Sequence, residues 1–173
     1  MFDISQELKQ THPSPLLSGR LGGVLKKMKH EVLIYNKTRG KIPKEFIENV
    51  ILGTLNFLKL KQPLEMAVLI VSPEEIKKLN KIWRGKNESA DELSFGLNSR
   101  LPADVAKLAK KQNKMLELGE IVVNANKIFE KNNFAKILIH GLLHLLGYNH
   151  EKSDSEAEKM EQLEAKIFKH LNI

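Results

Sequence analysis

Apolar residues along this chain recur at two different periods, which separates candidate strands from candidate helices. Short apolar runs bounded by turn residues predict four strands, over residues 30–36, 64–72, 93–97 and 118–123. Apolar residues spaced three and four apart predict helices that follow Pro43, begin at Ser72, and cover residues 125–130, 133–147 and 153–171. Strands and helices are interleaved but do not alternate strictly. The pattern therefore predicts an α+β fold, a single domain with a mixed, roughly four-stranded sheet flanked by helices.

Two of the predicted helices have recognisable starts and apolar faces. Proline suits the first helical position, as at Pro43, and the face that follows comprises Phe46, Ile47, Val50, Ile51, Leu55 and Leu58. Ser72 is placed as an N-cap with Glu75 as its capping-box partner. The apolar face of that second helix is predicted to contain Ile76, Leu79, Ile82 and Trp83.

Two segments lack this periodicity. Residues 1–26 contain Pro13, Pro15 and the Gly22-Gly23 pair, and predict a loosely ordered N-terminal extension ahead of a domain over residues 27–173. Residues 100–117 predict a polar, lysine-rich insert with some helical character.

The most informative stretch is ILIHGLLHLLGYNH at residues 137–150, which spaces three histidines as H-x3-H-x5-H. On a helix, His140 and His144 project from one face, about 40° apart around the axis. Glycine takes the left-handed cap conformation cheaply, so Gly147 is the predicted helix end and the chain can return His150 toward the other two. A His pair alone could be two satisfied core residues. The third His beyond a glycine stop favours a zinc site at the helix end, with the open fourth position of a catalytic zinc.

The same spacing occurs in zinc proteases of the H-E-x-x-H-x-x-G-x-x-H type. In those enzymes the Glu after the first His is the general base, and here that position is Gly141. The chain therefore has the metal-ligand spacing of a zinc hydrolase but lacks the general base of a peptidase.

Amino-acid composition and charge indicate where the protein acts and what kind of partner it binds. The chain has no cysteine, which suits a reducing compartment, and it has neither a signal-peptide pattern nor a membrane-length apolar run, so we expect a cytoplasmic protein with no membrane partner. The net charge of +7 favours a polyanionic partner over a merely solvated basic surface, because the lysines and arginines are clustered. One cluster comprises Lys26, Lys27, Lys29, Lys37, Arg39, Lys41 and Lys44, and the other Arg100, Lys107, Lys110, Lys111 and Lys114.

The segment HGLLHLLGYNH, from His140 to His150, resembles the H-G-x-L-H-L-x-G-Y-D-H signature of the YbeY family, which comprises bacterial endoribonucleases and ribosomal RNA maturation factors. Further segments are similar to the family's L-N-x-x-Y-R-G-K, D-V-L-S-F and L-G-D-I; they begin at Leu79, Asp91 and Leu118. The resemblance covers roughly residues 28–173.

That resemblance implies one zinc ion held by His140, His144 and His150, with Arg84 and His140 as catalytic residues and Arg84 also binding substrate. It implies single-strand-specific endoribonuclease activity in 16S rRNA 3′-end maturation and ribosome quality control, with rRNA of the small subunit as partner and no DNA. The alternative is a ribosome-assembly factor that binds rRNA, with a mainly structural zinc and little or no nuclease activity. A zinc hydrolase for a small substrate matches the charge poorly.

Three departures from the family pattern are relevant here, and the first two concern a possible proton acceptor. Asn149 replaces the Asp before the third His and cannot serve as a carboxylate base. Glu120 replaces the Asp of L-G-D-I, and could orient a His ring, act as base, or only pair with a surface lysine. Glu92 replaces a valine.

Overall fold

The computed structural model describes residues 30–97, 115–150 and 153–173. Its strands are β1 (Glu31–Asn36), β2 (Leu64–Val71), β3 (Glu92–Gly96) and β4 (Leu116–Asn124). Its α-helices are α1 (Lys44–Phe57), α2 (Pro73–Arg84), α3 (Lys131–Leu145) and α4 (Asp154–His170). Within this part of the chain, no helix is long and apolar enough to cross a membrane.

The four strands form one mixed sheet in the order β1-β2-β4-β3. The first three strands of that order are parallel, and β3 pairs antiparallel with β4 at the edge. Both central strands are buried almost throughout, which explains their nearly continuous apolar sequences. The carboxyl ends of β1, β2 and β4 therefore meet at one edge of the sheet. The predicted α+β class and mixed four-stranded sheet are confirmed.

Each face of the sheet is covered by different helices. On one face, α1 and α3 contribute to a large apolar core, and α4 adds Met160 and Ile167 to it. On the other face, Ile76 of α2 packs with Leu69, Leu93 and Val122. Alternation along β4 assigns Ile121 to the first face and Val122 to the second. The histidine-bearing helix α3 therefore lies on the opposite side of the sheet from α2.

The predicted start of α2 is confirmed, but one member of its predicted apolar face is wrong. Ser72 caps the helix, because its hydroxyl accepts a hydrogen bond from the backbone N–H of Glu75 at 3.2 Å. Ile82 is 72% exposed. The inward stripe passes through Ile76 and Trp83, whose ring stands edge-on against Phe95 at 5.4 Å. Ile82 lies six positions after Ile76, about 240° around the helix, and so points away from the sheet.

The predicted helix over residues 125–130 is also wrong. The structure has only a 3₁₀ turn, Ala125–Lys127, in which the side chain of Asn124 accepts a hydrogen bond from the Asn126 N–H at 3.1 Å. This side-chain turn competes with an α-helix, and Phe129 beyond it is exposed rather than packed. Strand β4 begins at Leu116, two residues earlier than predicted. The predicted N-terminal extension and nearly all of the predicted insert lie outside the described residues.

Candidate metal centre

The predicted end of the histidine helix is confirmed. Helix α3 ends at Leu145, and Gly147 has a φ of 89°, which L side chains rarely adopt. The Gly147 N–H donates to the carbonyl of His144 at 2.9 Å, and the Tyr148 N–H donates to the carbonyl of Leu143 at 3.0 Å. These bonds close the last turn and reverse the chain, which brings His150 back to the helix.

The three predicted ligands come together. One ring nitrogen from each of His140, His144 and His150 lies within 4.8 Å of the others. The Nε2 atoms of His140 and His144 are 3.0 Å apart. Two nitrogens bound tetrahedrally to one zinc would lie about 3.3 Å apart, given Zn–N bonds of about 2.05 Å. The cluster therefore has the size of a site for a single ion.

The outer ring nitrogens show that this cluster suits a cation. Nδ1 of His140 lies 2.7 Å from Oε1 of Glu164, and Nδ1 of His144 lies 3.0 Å from the carbonyl oxygen of Tyr148. Both partners are acceptors, so each Nδ1 carries a proton and each neutral ring presents its Nε2 lone pair inward. Two lone pairs facing each other at 3.0 Å repel unless a positive centre lies between them. The residues present therefore fit a metal ion.

The two helical histidines differ in their affinity for protons. The hydrogen bond that the Nδ1–H of His140 donates to Glu164 raises the pKa of His140 above its ordinary value, against the effect of burial. Burial, together with the nearby charges of His140 and His150, lowers the pKa of His144 to about 4. His144 is therefore neutral at physiological pH and ready to ligate. Of these two helical histidines, His140 is the one at which protons compete more strongly with a metal.

The glycine that distinguishes this chain from the zinc proteases has a packing role. A Cβ at Gly141 would lie 2.9 Å from Cγ2 and 3.0 Å from Cδ1 of Ile121, and 3.1 Å from the hydroxyl of Ser94. Helix α3 therefore lies close against the sheet beside its first histidine. A glutamate at this position would have to shift the side chains of Ile121 and Ser94.

Arg84 and His140 lie on the same cavity, which we call the metal-site cavity. It has a volume of about 350 Å³ and is lined by Arg84, Asp91, Glu92, Lys136, His140 and Glu164. Arg84 is the last residue of α2, and Gly85 caps the helix with a φ of 69°. The exposed Arg84 side chain is thus held at the mouth of the cavity, close enough to affect the charge state of His140.

Glu92 is a carboxylate of this cavity that the sequence pattern left without a role. The hydroxyl of Ser94 donates to Oε2 of Glu92 at 2.6 Å. Burial raises the pKa of Glu92, while the Ser94 hydroxyl and the positive charges of His140 and Arg84 oppose that rise. The side chain is therefore a carboxylate with unusual affinity for a proton, placed beside the histidines.

The roles suggested for Glu120 at the histidine site do not fit the structure. Glu120 is a buried residue, only 1% exposed. It pairs in register with Phe95 and precedes Ile121, whose side chain faces α3, so Glu120 points to the other face of the sheet. The nearest acceptors of His140 and His144 are Glu164 and Tyr148 instead.

The role of Glu164 was missed, although the sequence held a signal for it. Helix α4 has inward apolar positions at Met160, Leu163 and Ile167. Glu164, four residues after Met160, interrupts that stripe with a carboxylate. A charged residue on an inward-facing helical stripe requires a partner, and here that partner is His140.

Comparison with known proteins agrees with this arrangement. The family model described as Endoribonuclease YbeY matches residues 33–172. An Endoribonuclease YbeY of Thermodesulfovibrio yellowstonii is 39% identical over 128 residues, which cover 68% of this chain and 74% of that protein. One from Persephonella marina is 31% identical over 150 residues, covering 80% of this chain and 92% of its own.

The fold has a counterpart among solved structures. The solution structure of a Thermotoga maritima protein aligns with a TM-score of 0.51 at 24% sequence identity, covering 81% of this chain and 88% of that one. At this identity the likeness concerns the fold alone. The family model spans both the sheet and the histidine helix, and both relatives are more than 30% identical to the chain over the aligned residues. The chain belongs to the YbeY family of endoribonucleases.

Proposed function

We propose that this protein is a zinc-dependent, single-strand-specific endoribonuclease of the cytoplasm that acts on rRNA of the small ribosomal subunit, in 16S 3′-end maturation and ribosome quality control. The observation that carries the proposal is the convergence of three histidines, one of which, His140, lines the same cavity as Arg84. Family membership supports cleavage of RNA, and the basic net charge of +7 supports a polyanionic substrate.

Zinc is the proposed ion because the donor set consists of three imidazoles. A chain without cysteine offers no thiolate, and borderline-soft zinc is bound well by neutral histidine. A zinc ion in this site supplies a Lewis acid for the phosphodiester and lowers the pKa of water. His140 is therefore proposed as a catalytic residue because it would bind the zinc ion. Its hydrogen bond to Glu164 fixes the orientation of the imidazole ring.

Arg84 is proposed to bind the scissile phosphate. Its guanidinium is permanently charged and can donate two parallel hydrogen bonds to a phosphate. Lys136 lines the same cavity and adds a second positive charge on the α3 side. The phosphate would thus be held between α2 and α3, above His140.

Glu92 is proposed to move the proton. Its carboxylate lines the metal-site cavity and is oriented by a hydrogen bond from the Ser94 hydroxyl. Its pKa is raised toward neutral pH, as suits a group that accepts and returns protons. It would accept a proton from the attacking oxygen or return one to the leaving oxygen. This role replaces the one considered for Glu120 and does not require an Asp at position 149.

The alternative, a ribosome-assembly factor with a structural zinc and little nuclease activity, is favoured by one observation. Asn149, next to the third histidine, stands where the family signature has an Asp. An amide cannot take up a proton from an attacking oxygen. Both functions predict zinc and rRNA binding, and only the first predicts cleavage.

The experiment compares cleavage of a labelled single-stranded 16S 3′-region fragment with cleavage of the same sequence as a duplex. Wild type should cut only the single strand. Arg84→Glu should retain zinc and lose cleavage, while Lys78→Glu, the same charge reversal at an exposed position on α2, should behave as wild type. Normal cleavage by Arg84→Glu would refute the role of Arg84. Zinc and RNA binding without any wild-type cleavage would favour the assembly factor.

A further inference from the structure

A second cavity lies beside the metal-site cavity, and its residues have no role in the proposed reaction. It has a volume of about 420 Å³ and is lined by Asp91, Asn124, Asn126, Lys127, Glu130 and Asn133. We call it the asparagine cavity. It lies at the carboxyl ends of β2 and β4, where the 3₁₀ turn and the first turn of α3 leave the sheet.

The two cavities adjoin each other. Asp91 lines both of them. Helix α3 lines both as well, because Asn133 faces the asparagine cavity while Lys136 and His140 face the metal-site cavity. Residues spaced three, four and seven apart share one helical face, so one face of α3 serves both cavities. Asn133 and His140 are about 10 Å apart along the helix axis.

The asparagine cavity has the chemistry to bind a nucleobase and not a phosphate. Its charges are the Lys127–Asp91 ion pair, at 3.1 Å, and the additional carboxylate of Glu130. The excess of carboxylate repels a phosphate. Within the part of the chain that the structure describes, the side chains of Asn126, Glu130 and Asn133 have no hydrogen-bond or ionic partner. Amide and carboxylate groups of this kind recognise the edges of bases.

An exposed aromatic residue lies next in sequence to the residues that line this cavity. Phe129 is 80% exposed, and it lies in sequence between Lys127 and Glu130, which both line the cavity. Burying such a ring against the core would have been favourable, and the neighbouring Ile128 is buried. Exposed aromatic rings beside polar groups are the surfaces on which unpaired bases of single-stranded RNA stack.

We propose that the asparagine cavity and Phe129 form a nucleobase subsite for single-stranded RNA. One base stacks on Phe129 and turns its hydrogen-bonding edge toward Asn126, Asn133 and Glu130. The strand then continues along α3 to the phosphate held at Arg84 and His140. The inference rests on the proposed function and adds to it a base-binding position close to the scissile phosphate.

The subsite predicts a base preference. Glu130 is an acceptor, and it favours a base with an exocyclic amine, such as adenine or cytosine, over uracil. A duplex cannot use the subsite, because its bases are paired and stacked on each other. The subsite would thereby explain why the protein selects single-stranded RNA.

The test measures RNA binding by fluorescence anisotropy. The probes are labelled decamers of adenosine, cytidine or uridine alone, and their 2′-hydroxyls are methylated. Phe129→Ala should weaken binding of the adenosine decamer on the order of tenfold, and Phe129→Tyr should restore it. Ile82→Ala removes an equally exposed apolar side chain from the far side of α2 and should change nothing. Glu130→Gln should reduce the preference for adenosine over uridine at least about fivefold.

Two outcomes would overturn the subsite. In the first, Phe129→Ala binds every decamer with the affinity of wild type. In the second, Ile82→Ala loses as much affinity as Phe129→Ala does. Cleavage of the natural single strand by wild type is measured in parallel. Absent cleavage with Phe129-dependent binding refutes the nuclease proposal and supports the subsite. Normal cleavage with unchanged binding by Phe129→Ala refutes the subsite alone.

Discussion

Oε1 of Glu164 lies 2.7 Å from Nδ1 of His140, and this contact joins the last helix of the chain to the metal centre. The two residues are 24 positions apart in sequence. The contact fixes the proton of His140 on Nδ1 and aims Nε2 at His144 and the expected ion. Helix α4 therefore contributes to a candidate metal site whose three predicted ligands all lie on or just after α3.

Removing the charge of Glu164 should weaken metal binding without preventing folding. Glu164→Gln keeps an acceptor oxygen but loses the carboxylate that makes His140 a more basic ligand, so we expect zinc affinity to fall about 10- to 100-fold. Competition with a chromophoric chelator measures it. Glu158→Gln, an exposed change on the same helix, should have no effect. Equal affinities for Glu164→Gln and wild type would show that the contact does not tune the ligand.

Adding one methyl group at Gly141 should destabilise the protein. The new Cβ would lie within 3.1 Å of Ile121 and Ser94, and overpacking of this kind costs about 1–3 kcal/mol, more than the gain in helix propensity from Gly to Ala of about 1 kcal/mol. The free energy of unfolding from urea titration is the measurement. Ile121→Ala in the same chain makes room for the methyl, so the double variant should be less destabilised than the sum of the two single changes. Strict additivity would contradict the proposed clash.

The sequence predicted those parts of the site that depend on local spacing. The His140–His144 pair, the Gly147 stop and the return of His150 all follow from the geometry of one helix and its cap. The buried central strands follow from their apolar runs. The partners from distant elements did not follow, because Glu164 and Glu92 reach the site only through the packing of α4 and the register of β3.

The wrong predictions for Ile82 and Glu120 have the same physical cause, because both depend on which neighbouring element covers each face. The apolar Ile82 fitted a plausible helical stripe, but the sheet contacts a different face of α2. Glu120 matched an acidic position of the family motif, yet strand alternation directs it away from α3. Periodicity identifies an amphipathic face without saying which neighbour covers it.

The depressed pKa of His144 predicts a pH dependence of stability in the metal-stripped protein. The unfolded chain binds a proton at His144 below about pH 6.5, whereas the folded chain does so only near pH 4. The free energy of unfolding should therefore fall as pH falls through this window. His140, whose pKa is raised, contributes in the opposite direction, with stability that is lost as pH rises above its folded pKa.

Comparison with His144→Gln tests the effect, because this variant lacks the titrating group at position 144 while His140 is present in both proteins. Urea unfolding in the presence of a chelator, at about pH 7.5 and about pH 5, gives the two free energies. Wild type should lose stability on acidification relative to His144→Gln. A difference that stays constant between the two pH values would contradict the assignment.

Glu92→Gln should lower the rate of RNA cleavage while leaving zinc and RNA affinity close to wild type. A positioned general base contributes about 10²- to 10⁴-fold to a rate, so a loss within that range is expected in kcat. The acidic limb of the pH–rate profile should also disappear. Glu88→Gln alters an exposed carboxylate in the preceding loop and serves as the control. An unchanged pH–rate profile for Glu92→Gln would show that another group moves the proton.

The most direct test of the central claim is a titration of metal-stripped protein with Zn²⁺ while cleavage of a labelled single-stranded RNA is followed. Cleavage should be absent at the start, rise in proportion to added zinc, and reach a plateau at one ion per chain, and His144→Ala should show no rise over the same range. Full cleavage by the stripped protein before any zinc is added would contradict the account.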